Sequence, residues 1–187
     1  MQDEKNIERE DRDLIRRMGT KDAAALDAFY ARYHRLAFSL IFRIVGGRDD
    51  AEDVLIDVFW QTWQQADRYD ASRGKPVAWL LTIARTRAID SVRSSGRRDS
   101  NTESVEEGTQ PADAPEADVF VLADTKRAVR EALQTLPEQQ RTLLEMAYFQ
   151  GMSHTEIAAA VSQPLGTVKD RIRNGMMHLR KRLKPYL

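Results

Sequence analysis

Apolar residues recur at three- and four-residue spacing through most of the chain, and no segment alternates convincingly with period two. The pattern predicts an all-α protein. Leu26, Phe29, Tyr30, Tyr33, Leu36, Leu40, Ile41 and Ile44 form one stripe of a long helix. Thr20 is its expected cap, and Gly46-Gly47 its stop. A second helix is expected from near Asp50, where acids in the first turn suit the helix dipole, and it runs through Val54, Leu55, Val58, Phe59 and Trp63. Tyr69 to Lys75 is a polar turn, and Pro76 suits the first position of a third helix. That helix carries Val77, Leu80, Leu81, Ala84, Ala88 and Val92 on one side, with Arg85, Arg87 and Arg93 elsewhere on its surface.

The periodicity stops between Gly96 and Asp118, a stretch of Ser, Thr, Glu, Asp, Gly and Pro that cannot bury enough apolar surface to offset its ordering entropy. It reads as a flexible acidic linker over 96–120, dividing a domain at 1–95 from another at 121–187. Four helices are expected in the second domain. The first spans about Val121 to Thr135, and Pro137 opens the next, which ends before Gly151. Ser153 with Glu156 has the spacing of a capping box for a short helix to Val161. No helix would continue through Pro164 and Gly166. Thr167 with Asp170 offers a second capping box for a final helix to about Leu183.

Charge adds a feature that the net value conceals. The 29 basic and 29 acidic side chains cancel, yet they fall in alternating blocks. Seven acids face two bases from Arg48 to Asp70, and seven bases face one acid from Arg73 to Arg98. Seven acids without a base follow from Asp99 to Asp118, then seven bases with one acid from Leu165 to Leu187. Such alternation points to separate surfaces for separate partners. The chain has no cysteine, which excludes disulfides and thiolate chemistry and fits a reducing cytoplasm. The charged N-terminus does not suit a signal peptide, and the apolar stretch Leu36 to Val45, broken by Arg43, is too short for membrane insertion. His34, His154 and His178 share no ligand spacing, so no metal and no cofactor is expected.

A short helix, a tight turn and a longer basic helix make a helix-turn-helix over Ser153 to Leu183. Its second helix brings Lys169, Arg171, Arg173 and Asn174 toward base edges, with Arg180, Lys181, Arg182 and Lys184 further along for phosphates. The wording of this segment also carries a resemblance. Leu136-Pro137-Glu138-Gln139-Gln140-Arg141, Gly151-Met152-Ser153, Glu156-Ile157-Ala158 and Pro164-Leu165-Gly166-Thr167-Val168-Lys169 resemble region 4 of sigma-70 family factors. Asp50-Ala51-Glu52-Asp53-Val54 with Val58-Phe59 and Trp63 resembles region 2.2. Gly74 through Arg85, ending in Arg87-Ala88-Ile89-Asp90, resembles regions 2.3 and 2.4. Two such domains joined by a short acidic linker are similar to the extracytoplasmic-function (ECF) sigma factors.

The resemblance implies a promoter-specificity subunit of bacterial RNA polymerase, regulated by an anti-sigma factor and not itself an enzyme. It assigns docking on the clamp helices of the largest polymerase subunit to Asp50, Asp53, Val54, Ile56, Asp57, Phe59 and Trp60, with Ile56 standing where the family usually has Gln. Two of the aromatics Phe59, Trp60 and Trp63 should instead belong to the core. It assigns recognition and opening of the −10 element to Trp79, Arg85, Thr86, Arg87, Asp90 and Arg93. Trp79 can stack on a base or fill the core, and the apolar Leu80 beside it favours the core. Thr86 stands where many members have Asn and lacks a bidentate amide. The −35 element falls to Thr167, Lys169, Asp170, Arg171, Arg173 and Asn174, with Asp170 rather a helix cap than a base contact. The linker would thread toward the RNA-exit channel or serve as a solvated tether. Two other readings compete. A sigma-like decoy that sequesters an anti-sigma factor should lack the basic recognition helix, and a regulator using the last domain alone leaves the first motif set unexplained.

Overall fold

A computed structural model describes residues 2–95 and 119–183. The chain divides into two compact units, which are described separately; the expected linker falls largely outside the described residues. The first unit contains α1 (Gln2–Gly19), α2 (Ala23–Val45), α3 (Arg48–Gln64), a 3-10 turn (Ala66–Arg68) and α4 (Pro76–Ser95). The second contains α5 (Val119–Gln134), α6 (Glu138–Tyr148), α7 (His154–Ala160) and α8 (Leu165–Leu183). No strand occurs among the described residues. Because α5 starts at Val119, the last two positions of the expected linker are helical.

In the first unit, α2 packs against α1, α3 and α4. Its buried face is Ala25, Phe29, Tyr33, Ala37 and Ile41. Small residues on α4, Ala84 and Ala88, let that helix approach closely, while Leu80 fills the space between. Phe29 meets the edge of Phe59 at 6.5 Å and tilts against Tyr33 at 4.9 Å, so aromatic contacts join α2 to α3. Full burial of side chains such as Phe29, Ile41 and Leu80 contributes about 1.5–3 kcal/mol each. Val92, expected on the apolar side of α4, is 39% exposed near the helix end.

Helix α1 is absent from the periodicity reading, because its residues are mostly charged. It still carries a stripe of Leu14, Ile15 and Met18, all buried. Asp11 stands one turn before Leu14 and Ile15 and is 2% exposed. It accepts a hydrogen bond from the Tyr33 hydroxyl and one from Arg32 Nη1 at 2.6 Å. A buried carboxylate is tolerable only with such partners. Burial raises the Asp11 carboxyl above its ordinary value despite the opposing effect of Tyr33 and Arg32, and burial together with Asp11 raises the Tyr33 phenol.

The start of α2 also differs from expectation. Asp22, not Thr20, is the cap, and its Oδ1 accepts from the Ala24 amide at 3.1 Å. Thr20 instead closes α1, donating its hydroxyl to the Arg17 carbonyl. Lys21 follows in the left-handed region (φ 65°), with Lys21 N–H bonded to Met18 O and Asp22 N–H to Arg17 O. These two bonds form a Schellman closure, and Asp22 ends one helix and starts the next. Lys21 Nζ reaches the Trp63 carbonyl at 3.2 Å and lies 5.1 Å from the Trp63 ring, fastening this corner to the end of α3. At the other end of α2, Gly46 (φ 82°) donates to the Phe42 carbonyl and stops the helix as the Gly pair predicts.

In the second unit, Leu136, Leu143, Leu144, Ile157, Val168 and Ile172 form the core. Ser153 and Glu156 make the expected capping box, with Ser153 N–H donating to Glu156 Oε2 at 2.6 Å and Glu156 N–H to Ser153 Oγ at 3.3 Å. Helix α8 begins at Leu165, two residues before the Thr167 predicted to cap it. The Pro164 carbonyl accepts from Val168 N–H, so Pro164 precedes the helix, where its missing N–H costs nothing. Thr167 and Asp170 therefore lie inside the helix, and no second capping box forms.

Candidate functional site

Three exposed surfaces carry the residues that the sequence singles out. On α3, Asp53, Ile56, Asp57 and Trp60 follow one another at three- and four-residue spacing and are all exposed. Ile56 is 68% exposed and Trp60 62%. Phe59 decides the orientation: locked among Phe29 and Tyr30 of α2, it turns Trp60 outward. Val54 and Phe59, expected to take part in docking, are buried. They hold the helix and offer no surface to a partner. Asp50 is exposed at the first turn of α3. Among the described residues, Asp50, Asp53 and Asp57 make no ion pair, whereas Glu52 is paired with Arg48 at 2.9 Å. Large apolar side chains set between uncompensated carboxylates suit a protein partner with cations around an apolar groove.

On α4, Trp79 is half-buried, packed on the core and 5.3 Å from the Tyr69 ring. Its placement is intermediate between the core and stacking alternatives. Arg85 is half-buried, and Thr86, Arg87, Asp90 and Arg93 are exposed. Thr86 donates its hydroxyl to the Thr82 carbonyl, and Thr82 does the same to Ala78. The hydroxyl proton of Thr86 is thus turned toward the helix backbone. Arg87 donates through Nε to Gln61 Oε1 of α3 at 2.5 Å, a link that a separation of 26 residues hides from sequence reading.

On α8, Val168, Ile172 and Gly175 face inward. Lys169, Asp170, Arg173 and Asn174 are exposed, with Thr167 and Arg171 half-buried. Asp170 makes no capping bond among the described residues, so the cap role expected of it is not formed. Arg171 donates through Nη1 to Gln163 Oε1 at 2.6 Å. Arg180, Lys181 and Arg182 extend the basic surface through the last turn, where cations also suit the helix dipole. His34 stacks on Tyr30, and His178 Nε2 bonds to Thr135 Oγ1. The described residues contain no cluster of His, Cys, Asp and Glu able to hold a metal. Among them, no helix is long and apolar enough to cross a membrane.

Comparison with known proteins assigns these surfaces to a family. Residues 29–98 match the model of sigma-70 region 2, and residues 126–179 match that of sigma-70 region 4. A relative in Mycolicibacterium vanbaalenii, the ECF RNA polymerase sigma factor SigK, is 35% identical over 171 residues, which cover 90% of this chain and 86% of its own. The chain belongs to the ECF sigma factors of the sigma-70 family. It is accordingly a transcription initiation factor whose partners are RNA polymerase core and promoter DNA. SigK of Mycobacterium tuberculosis H37Rv is 31% identical over 170 residues, 89% of this sigma factor and 90% of that one. Among solved structures, Rhodobacter sphaeroides SigE in complex with the anti-sigma ChrR is 31% identical, covering 90% of this chain and 94% of its own, at a TM-score of 0.45.

Proposed function

We propose that the sigma factor divides promoter recognition among the three surfaces. The α3 stripe of Asp53, Ile56, Asp57 and Trp60, with Asp50 at its start, docks on the clamp helices of the largest polymerase subunit. Arg85, Thr86, Arg87, Asp90 and Arg93 of α4 bind the −10 element and hold the separated strand, and Trp79 supports them from its half-buried position. On α8, Thr167, Lys169, Asp170, Arg171, Arg173 and Asn174 enter the major groove of the −35 element. An anti-sigma factor covers these surfaces until a signal releases them.

The observation that carries the reading is the exposure of Ile56 and Trp60 amid unpaired carboxylates, which gives a partner-binding surface opposite in charge to the basic face of α8. Run-off transcription with core polymerase and a promoter library tests it. Replacing Arg171 and Arg173 together with Ala should abolish −35-dependent transcription and leave core binding intact. Loss of core binding in that variant would refute the division of labour. A sigma factor that directs core polymerase to no promoter in the library would instead be acting as a decoy for an anti-sigma factor.

A further inference from the structure

The turn between α7 and α8 is fixed more firmly than a connection requires. Ser162 adopts the left-handed region (φ 51°), with Ser162 N–H bonded to Ala159 O at 3.2 Å and Gln163 N–H to Ala158 O at 3.0 Å. This is a Schellman closure with serine where glycine is usual. The backbone of Gln163 is thereby pinned, and Pro164 restricts it further from the other side. From that position Gln163 Oε1 accepts the Nη1 hydrogen bond of Arg171, two turns into α8, and the pair is partly buried. Neither side chain makes another hydrogen bond among the described residues.

An arginine free to choose its rotamer loses side-chain entropy when a single geometry is imposed on it. The bond to Gln163 imposes that geometry before DNA arrives. It uses one of the five N–H donors of the guanidinium and leaves parallel donors that match the O6 and N7 acceptors of guanine. A phosphate contact gains less from such a constraint, since phosphate oxygens position a protein without selecting a base. The acceptor is also a neutral amide, so the arginine keeps its whole positive charge for DNA. Lys169 and Arg173, both exposed, have no comparable buttress among the described residues.

We propose that Gln163 is a positioning residue that sets the base preference of Arg171, holding its guanidinium toward a guanine edge in the −35 element. The proposal rests on the reading of α8 as the −35 reader. Full-length sigma factor in holoenzyme, assayed on a −35 library, provides the test. Gln163→Met keeps the stem and removes the acceptor; it should reduce discrimination at one base step by at least about fivefold and leave the other steps unchanged. Gln163→Glu keeps an acceptor in place. It should retain the preference while lowering output on all library members, because its charge offsets that of Arg171. Gln163→Met combined with Arg171→Ala should show no loss of discrimination beyond that of Arg171→Ala alone. Retained preference in Gln163→Met, or a uniform loss across the library, overturns the proposal while Arg171→Ala still flattens one step. If Arg171→Ala changes no preference, the α8 reading fails and the proposal with it.

Discussion

Single carboxylates set opposite pH responses in the first unit. Asp22 Oδ2 accepts a hydrogen bond from Arg17 Nε at 2.8 Å and lies 2.7 Å from Arg17 Nη2, while Oδ1 caps α2. Its bond with Arg17 holds its carboxyl below the ordinary value of 3.8. A folded-state value below the unfolded one contributes stability that is complete above the unfolded value and lost as pH falls through the depressed one. Asp11 behaves in the reverse sense, since burial raises its carboxyl: its contribution is greatest below the ordinary value and is lost as pH rises through the raised one. Asn at position 22 retains the capping oxygen and loses the charge. Asp22→Asn should therefore flatten the acid limb of unfolding midpoint against pH, below the ordinary carboxyl value, compared with the wild-type chain. An unchanged slope would show that the Arg17–Asp22 pair does not contribute to the acid response.

At the scale of helices, close approach of backbones replaces side-chain volume at two places. Ala84 and Ala88 of α4 are fully buried in the core that α4 shares with α2 and α3. The α6–α8 contact uses Gly175, where an added Cβ would lie 2.9 Å from Leu144 Cδ1. Leu144 is itself buried, so its methyl has little room to retreat. Gly175→Val should destabilise the second unit by about 1–3 kcal/mol through overpacking, measured by urea unfolding, although the substitution removes a helix-interior glycine. Helices α3, α4, α6 and α7 start within about two residues of the positions that sequence signals located, because the Gly46-Gly47 stop, Pro76, Pro137 and Ser153 act through local backbone chemistry. Helix α1 was hidden because Asp11 interrupts its apolar stripe, and its acceptance in the core depends on Tyr33 and Arg32 more than twenty residues away. The start of α8 was displaced because Pro164 and Gly166 resemble an extended turn, whereas Gly166 falls in the first helical turn. Exposed site residues were legible from helical spacing. Their polar supports, Gln61 for Arg87 and Gln163 for Arg171, were not, since no local pattern encodes a bond between separate elements.

For the whole molecule, division into two compact units predicts that, on the proposed assignment of surfaces, polymerase docking and −35 reading fail independently. Trp60→Ala removes a large exposed side chain that contributes nothing to the core. It should weaken binding to core polymerase by about 30-fold, as loss of a tryptophan anchor of about 2 kcal/mol would, without lowering the unfolding midpoint. A lowered midpoint with unchanged affinity would assign Trp60 to folding instead. The tryptophans also give the molecule an optical asymmetry. All three, Trp60, Trp63 and Trp79, lie in the first unit, and the chain from Gly96 onward has none. Trp60 alone is largely exposed, and Trp63 and Trp79 are packed against the core. Indole fluorescence therefore reports on one half of the protein only, and within that half a water-soluble quencher would reach chiefly the Trp60 ring at the end of the proposed docking stripe. Covering that stripe would shield the emission, while events confined to α8 would leave the emission unchanged.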